Sequence, residues 1–96
     1  MNVKGSALIH GLAWIEERYG REAVTRYRAG LDPGSQEVMR PPLHGHSWYP
    51  VHVWNAMAEA VAAAGGTEAP REFAREVAQR GLALPYPGLA PAGAPT

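Results

Sequence analysis

The chain contains no cysteine, which excludes disulfides, thiolate nucleophiles and thiolate metal sites and fits a reducing compartment. Excess charge of either sign is also missing, because 9 Lys and Arg balance 9 Asp and Glu. There is accordingly no electrostatic case for nucleic acid or an anionic membrane as partner. No apolar run approaches the roughly twenty residues of a membrane helix, and His10, Glu16 and Glu17 interrupt the first segment before a signal-peptide core can form. A soluble, cytoplasmic protein is expected. The Walker lysine and its spacing are absent around Gly65-Gly66-Thr67, and Ser47 has no G-x-S-x-G context, so neither phosphate binding nor serine hydrolysis has a signature here. No segment shows the alternation and turn chemistry of an independent strand, and there is no internal repeat.

What the sequence does contain is helical spacing. Leu8, Leu12, Ile15 and Tyr19 recur at steps of four, three and four, giving one apolar stripe between Ser6 as cap and Gly20 as stop. A second segment, Arg21 to Leu31, places Val24, Tyr27 and Leu31 on one side. Asp32-Pro33 is a helix entry, since the aspartate accepts backbone N–H bonds and the proline dihedral suits the first helical position. Pro41-Pro42 ends that short helix. Pro50 opens the clearest helix, with Trp54, Met57, Val61 and Ala64 at helical intervals up to Gly65-Gly66. A last helix starts within Thr67 to Pro70, turns Phe73, Ala74 and Val77 inward, carries Glu72/Arg75 and Glu76/Arg80 as exposed pairs, and stops at Gly81. The expected fold is therefore all-α: a small bundle of four to five short helices over residues 1–81. A Pro, Ala and Gly-rich tail follows over residues 82–96, with Pro85, Pro87, Pro91 and Pro95 and no charge.

The break Leu43-His44-Gly45-His46-Ser47-Trp48-Tyr49-Pro50 gathers imidazoles and aromatics between helical segments, where ligands and partners commonly dock. Three kinds of chemistry are open to it. His44, His46 and His52 could hold a metal ion, because neutral imidazole is a common zinc ligand and His-x-His can aim two nitrogens at one ion, though no carboxylate lies within the segment. Trp14, Trp48, Tyr49, Trp54 and Met57 could line a small-molecule pocket between helices. Large aromatics in so small a protein also serve to build the core, which is the expected role of Trp54 and of the His10–Trp14 pair.

The pattern Val3-Lys4-Gly5, Tyr19-Gly20 with Ala23, then Trp48-Tyr49-Pro50 leading to Ala56, Ala60 and Gly65-Gly66 resembles a family of uncharacterised proteins multiplied in myxobacterial genomes. The resemblance covers roughly residues 3 to 82 and rests on the spacing of short motifs. Members of that family are markedly longer, so this chain looks like their N-terminal helical half, and the resemblance implies a signalling or regulatory accessory module without assigned chemistry. A fainter similarity is to the start of haem-dependent nitric-oxide sensor domains. Those attach haem through a histidine much farther along, and none follows His52 here, so haem is not carried over and no cofactor is expected.

If the helices lack a second subdomain, their uncovered apolar surface must meet another chain. The expected function is a non-enzymatic regulatory or protein–protein interaction module that associates with a protein partner or a second copy of itself around residues 43–54. Met39, Leu43, Trp48, Tyr49, Leu82, Leu84 and Tyr86 are the expected contacts. The alternatives are a small-molecule sensor using the five aromatic-pocket residues and a metal-dependent enzyme using the three histidines.

Overall fold

The computed structural model describes the backbone of residues 1–83 and the side chains of residues 1–80. In chain order the elements are β1 (Asn2–Lys4), α1 (Gly5–Tyr19), α2 (Arg21–Ala29), α3 (Pro33–Val38), β2 (Trp48–Pro50), α4 (Val51–Gly65) and α5 (Ala69–Ala83). The described residues thus form a mostly helical fold with one two-stranded sheet. Among them, no helix is long and apolar enough to cross a membrane.

The sheet corrects the expectation that no strand would form. β1 and β2 pair antiparallel, with Val3 opposite Tyr49 and Lys4 opposite Trp48. Three residues are too few for alternation to register in a sequence, and the pairing partners lie 46 and 44 positions apart. The sheet also supplies what helix starts need. The first N–H groups of a helix have no partner within it, and here Gly5 N–H donates to Ser47 O at 2.8 Å and Ser6 N–H to Gly45 O at 3.2 Å. Val51 N–H at the start of α4 donates to Met1 O at 3.1 Å. Neither α1 nor α4 has a side-chain cap. Ser6 is therefore a residue inside α1 rather than its cap.

The core joins residues from four of the five helices: Leu8, Trp14 and Ile15 of α1, Ala23 and Tyr27 of α2, Val53, Met57 and Val61 of α4, and Ala69, Phe73 and Val77 of α5. Leu12, Tyr19 and Trp54 pack half-buried against it. Gly11 permits the close approach of α1 to its neighbours, since a Cβ there would lie 2.9 Å from the Met57 sulfur and 3.2 Å from the Phe73 ring. Tyr27 crosses the bundle to donate its hydroxyl to Val53 O at 2.7 Å, and burial pushes its pKa up to about 12. Gly20 and Gly66, at φ 96° and 98°, make the turns after α1 and α4 that residues with a Cβ rarely adopt.

Helix α5 departs from expectation in three respects. It runs through Gly81 to Ala83, because an interior glycine costs about 1 kcal/mol without breaking the hydrogen-bond ladder. Ala74 is exposed. Its acidic residues reach across to α1 instead of along α5: Glu72 forms a two-oxygen pair with Arg18 at 3.2 Å, Glu76 accepts from Trp14 Nε1 at 2.8 Å, and Arg80 pairs with Glu17. Arg18 also lies 4.7 Å from the Trp14 ring centroid. The Trp14–Glu76 and Arg18–Glu72 contacts run in opposite senses along the two helices, so α5 crosses α1 antiparallel, while Arg80 reaches back to Glu17 near the end of α1.

Candidate functional site: an aromatic platform on the sheet

Residues 43–47 form the loop that leads into β2, and its Gly45 and Ser47 carbonyls cap α1. Ser47 N–H closes a turn on His44 O at 3.1 Å, and His44 N–H donates to the Tyr49 hydroxyl at 2.9 Å. Strand alternation then divides the two aromatics. Tyr49 points inward and is half-buried against the core, together with Leu43. Trp48 points outward and is 62% exposed, an unusual state for the largest apolar side chain. Its cross-strand neighbour Lys4 brings Nζ to 5.4 Å from the ring centroid, a cation–π contact that steadies the indole. The result is a flat aromatic surface standing at the end of the bundle where α1 and α4 begin.

Of the other residues expected at a partner surface, Met39 is corrected. It is fully buried, and its carbonyl accepts from Arg28 Nη1 at 2.5 Å, so it anchors the end of α3 and cannot touch a partner. Leu84 and Tyr86 lie outside the described residues, as does the side chain of Leu82.

The five residues expected to line a pocket are not brought together. Trp14 and Met57 are buried in the core. Trp14 meets Phe73 edge-on at 5.2 Å, Trp54 stacks on Phe73 at 4.9 Å, and Trp48 faces solvent. Trp54 instead lines a mainly apolar groove of about 230 Å³ with Ser6, Ala7, His10, Val77 and Ala78.

The three histidines are likewise not gathered at one point, and His46 is exposed. Among the described residues no group of three or more His, Cys, Asp or Glu side chains is placed to hold a metal ion. His44 contributes backbone groups to the loop, and His52 is engaged elsewhere. Its Nε2 lies 2.8 Å from the Ser35 hydroxyl, which in turn donates to Asp32 Oδ1 at 2.7 Å. An ionised aspartate only accepts, so the serine hydroxyl donates to it and receives the His52 Nε2–H. The order differs from a catalytic triad, where the carboxylate orients the histidine, and Ser35 is buried. These three residues cap α3 and tie it to the first turn of α4. Sequence reading finds the Asp32 cap but not its extension; the spacing Asp32-x-x-Ser35 is the local signal for the first half of it.

The cap has a pH consequence. Hydrogen bonds from the Ser35 hydroxyl and backbone N–H, aided by nearby His52, hold the Asp32 carboxyl below the usual carboxylate range. Its contribution to stability is therefore present above the unfolded-state value and is lost as pH falls through the depressed folded-state value. Asp32→Asn keeps a capping oxygen and removes the titration, so its acid-side loss of stability should be shallower than that of the parent. Urea denaturation between pH 2 and 6 measures this, and parallel curves for the two proteins would contradict it.

No family model, curated protein or solved structure matches the chain. The fold and platform define a small helical domain with one solvent-facing tryptophan on a two-stranded base.

Proposed function

We propose that this chain is a non-enzymatic interaction module that associates with a second copy of itself through the Trp48 platform. The observation that carries the proposal is the exposed Trp48 held on a fixed base by Lys4, the strand pairing and the loop that caps α1. Tryptophan is among the residues most enriched where few side chains carry most of an interface's energy. A rigid anchor loses little conformational entropy on binding. An isologous contact places each Trp48 against the same surface of the other copy, with no need for an oppositely charged partner. The balanced charge of the chain agrees with this. The resemblance to myxobacterial proteins adds a regulatory, cytoplasmic setting to the proposal.

The groove beside Trp54 does not favour a second, small-molecule reading. Its volume of about 230 Å³ falls below the ~300 Å³ at which ordinary ligand pockets begin.

Sedimentation of the full chain over a concentration series tests the self-association. The parent is expected to dimerise reversibly, and Trp48→Ala should weaken the dimer about 30-fold, the equivalent of a ~2 kcal/mol anchor. Thermal stability should be almost unchanged, because Trp48 is not a core residue. A parent protein that stays monomeric at millimolar concentration would refute the proposal.

A further inference from the structure

A tryptophan held out from one copy needs a hollow on the other, and the groove beside Trp54 has the size for it. Ser6 and Ala7 in the first turn of α1, His10 one turn on, Trp54 in the first turn of α4, and Val77 and Ala78 of α5 line this groove of about 230 Å³. That is too little for an ordinary ligand, but it suits one large side chain. A cavity of about 150 Å³ takes up benzene, and an indole, half as large again, calls for about 225 Å³.

The chemistry of the groove also matches an indole. Its walls, Ala7, Trp54, Val77 and Ala78, are apolar, and no acid, lysine or arginine lines it, so closure strands no charge. The indole N–H is a donor that needs an acceptor once water is excluded. The Ser6 hydroxyl and the His10 imidazole stand on the groove and supply one. Knob and groove also share one end of the bundle. Trp48 pairs with Lys4, the residue before α1, and β2 leads directly into α4; Ser6, Ala7 and Trp54 occupy the first turns of those same two helices. A knob and a hollow at the same end permit a closed two-fold pair, whereas at opposite ends they would build an open chain of protomers. Within its own chain Trp48 is 62% exposed and so does not fill the groove.

We infer that each Trp48 of a two-fold dimer inserts into the groove that Ala7, Trp54, Val77 and Ala78 form on the other copy. Lys4 Nζ, 5.4 Å from the ring centroid, covers one face of the indole within its own chain, and the other face and the outer edge enter the second copy. With 62% of it exposed, each ring has ~150 Å² left to bury, and it covers a similar area of wall, so two insertions bury about 600 Å². The flanking helix starts add to this, and the total belongs to weak, reversible pairs below about 1,200 Å². Reciprocal insertion gives two equivalent contacts for one loss of translational freedom. The inference rests on the self-association proposed above and names what receives Trp48.

The test uses the full chain. Ala78 is exposed, so Ala78→Leu fills the groove with a good helix former and should keep the helical circular-dichroism signal. By sedimentation it should weaken the dimer about tenfold, and in a Trp48→Ala background it should have no further effect, because the indole it excludes is already gone. In a mixture of isotopically labelled and unlabelled parent protein, filtered nuclear Overhauser spectra should show Trp48 ring protons of one copy beside the Val77 and Ala78 methyl protons of the other. A dimer that keeps or exceeds parent affinity in Ala78→Leu, yet is lost on Trp48→Ala, overturns the groove as receptor and leaves the self-association intact. Cross-peaks from Trp48 to a different surface of the second copy overturn it equally, and masses that climb past the dimer overturn the reciprocal arrangement. A parent that is monomeric throughout removes both proposals together.

Discussion

Phe73→Ala is expected to destabilise the fold by about 3–5 kcal/mol, the range for truncating a fully buried phenylalanine, and to lower the melting temperature by about 15–30 °C for a domain of this size. Phe73 is fully buried and is the piece through which three helices meet. The Trp14 ring of α1 approaches its edge at 5.2 Å, the Trp54 ring of α4 stacks on it at 4.9 Å, and Gly11 gives it room against α1. Each aromatic pair adds about 0.5–1.5 kcal/mol beyond area burial, so the loss should sit toward the upper end. Collapse of the surrounding side chains would reduce it, but the walls are two tryptophans, and Trp14 is held by its bond to Glu76. A domain whose total stability is about 5–15 kcal/mol has little margin for such a loss. Chemical denaturation followed by circular dichroism measures it. Phe73→Leu, which keeps most of the volume, should lose much less. A Phe73→Ala protein within 1 kcal/mol of the parent would show that the packing of α5 on α1 and α4 does not depend on this ring.

The parts of this fold that were legible in the sequence are those set by near neighbours. The stripe Leu8, Ile15 lies in the core as its spacing implies, as do Tyr27, Met57, Val61 and Val77. Asp32-Pro33 caps α3, and Ser35 N–H bonds to Asp32 Oδ2 at 3.1 Å. Pro50 precedes α4, and Gly66 follows it at positive φ. What escaped reading is set by distant partners. The cap of α1 comes from carbonyls about forty residues away, so Ser6 is a misleading signal. Glu72 has a suitable partner in Arg75 at helical spacing, yet it pairs with Arg18, because packing α5 on α1 puts that guanidinium within reach. Met39 follows a six-residue helix with no stripe of its own, so its apolar character alone cannot distinguish a core anchor from a surface contact. At the platform, the pair Trp48-Tyr49 stands out by composition. Which of them faces solvent depended on strand pairing with Val3 and Lys4, and three-residue strands leave no periodicity to read.

Gly5→Ala should destabilise the protein by about 3 kcal/mol, although helix propensity alone predicts the opposite sign. Replacing glycine by alanine within a helix ordinarily stabilises by roughly 0.5–1 kcal/mol. At Gly5, however, an added Cβ would collide with the His44 carbonyl oxygen and lie 2.9 Å from the carbonyl carbon and 2.8 Å from the Tyr49 ring. Backbone cannot swing aside as a flexible side chain does. Relief requires moving residues 44–47 away from α1, and that motion pulls Ser47 O from Gly5 N–H and Gly45 O from Ser6 N–H. Overpacking costs about 1–3 kcal/mol, and each hydrogen bond lost at the helix start contributes on the order of 1 kcal/mol, so the steric loss outweighs the propensity gain several-fold. Gly45→Ala is the matched control: its Cβ would meet only Ser6 Cβ at 3.9 Å, an ordinary contact, and it should change stability by less than about 0.5 kcal/mol. The same displacement would loosen the base of the platform, so Gly5→Ala should also weaken self-association while every platform side chain remains in place. Denaturation curves and sedimentation on the two glycine variants decide the matter, and a Gly5→Ala protein more stable than the parent would mean that the loop does not close over the start of α1.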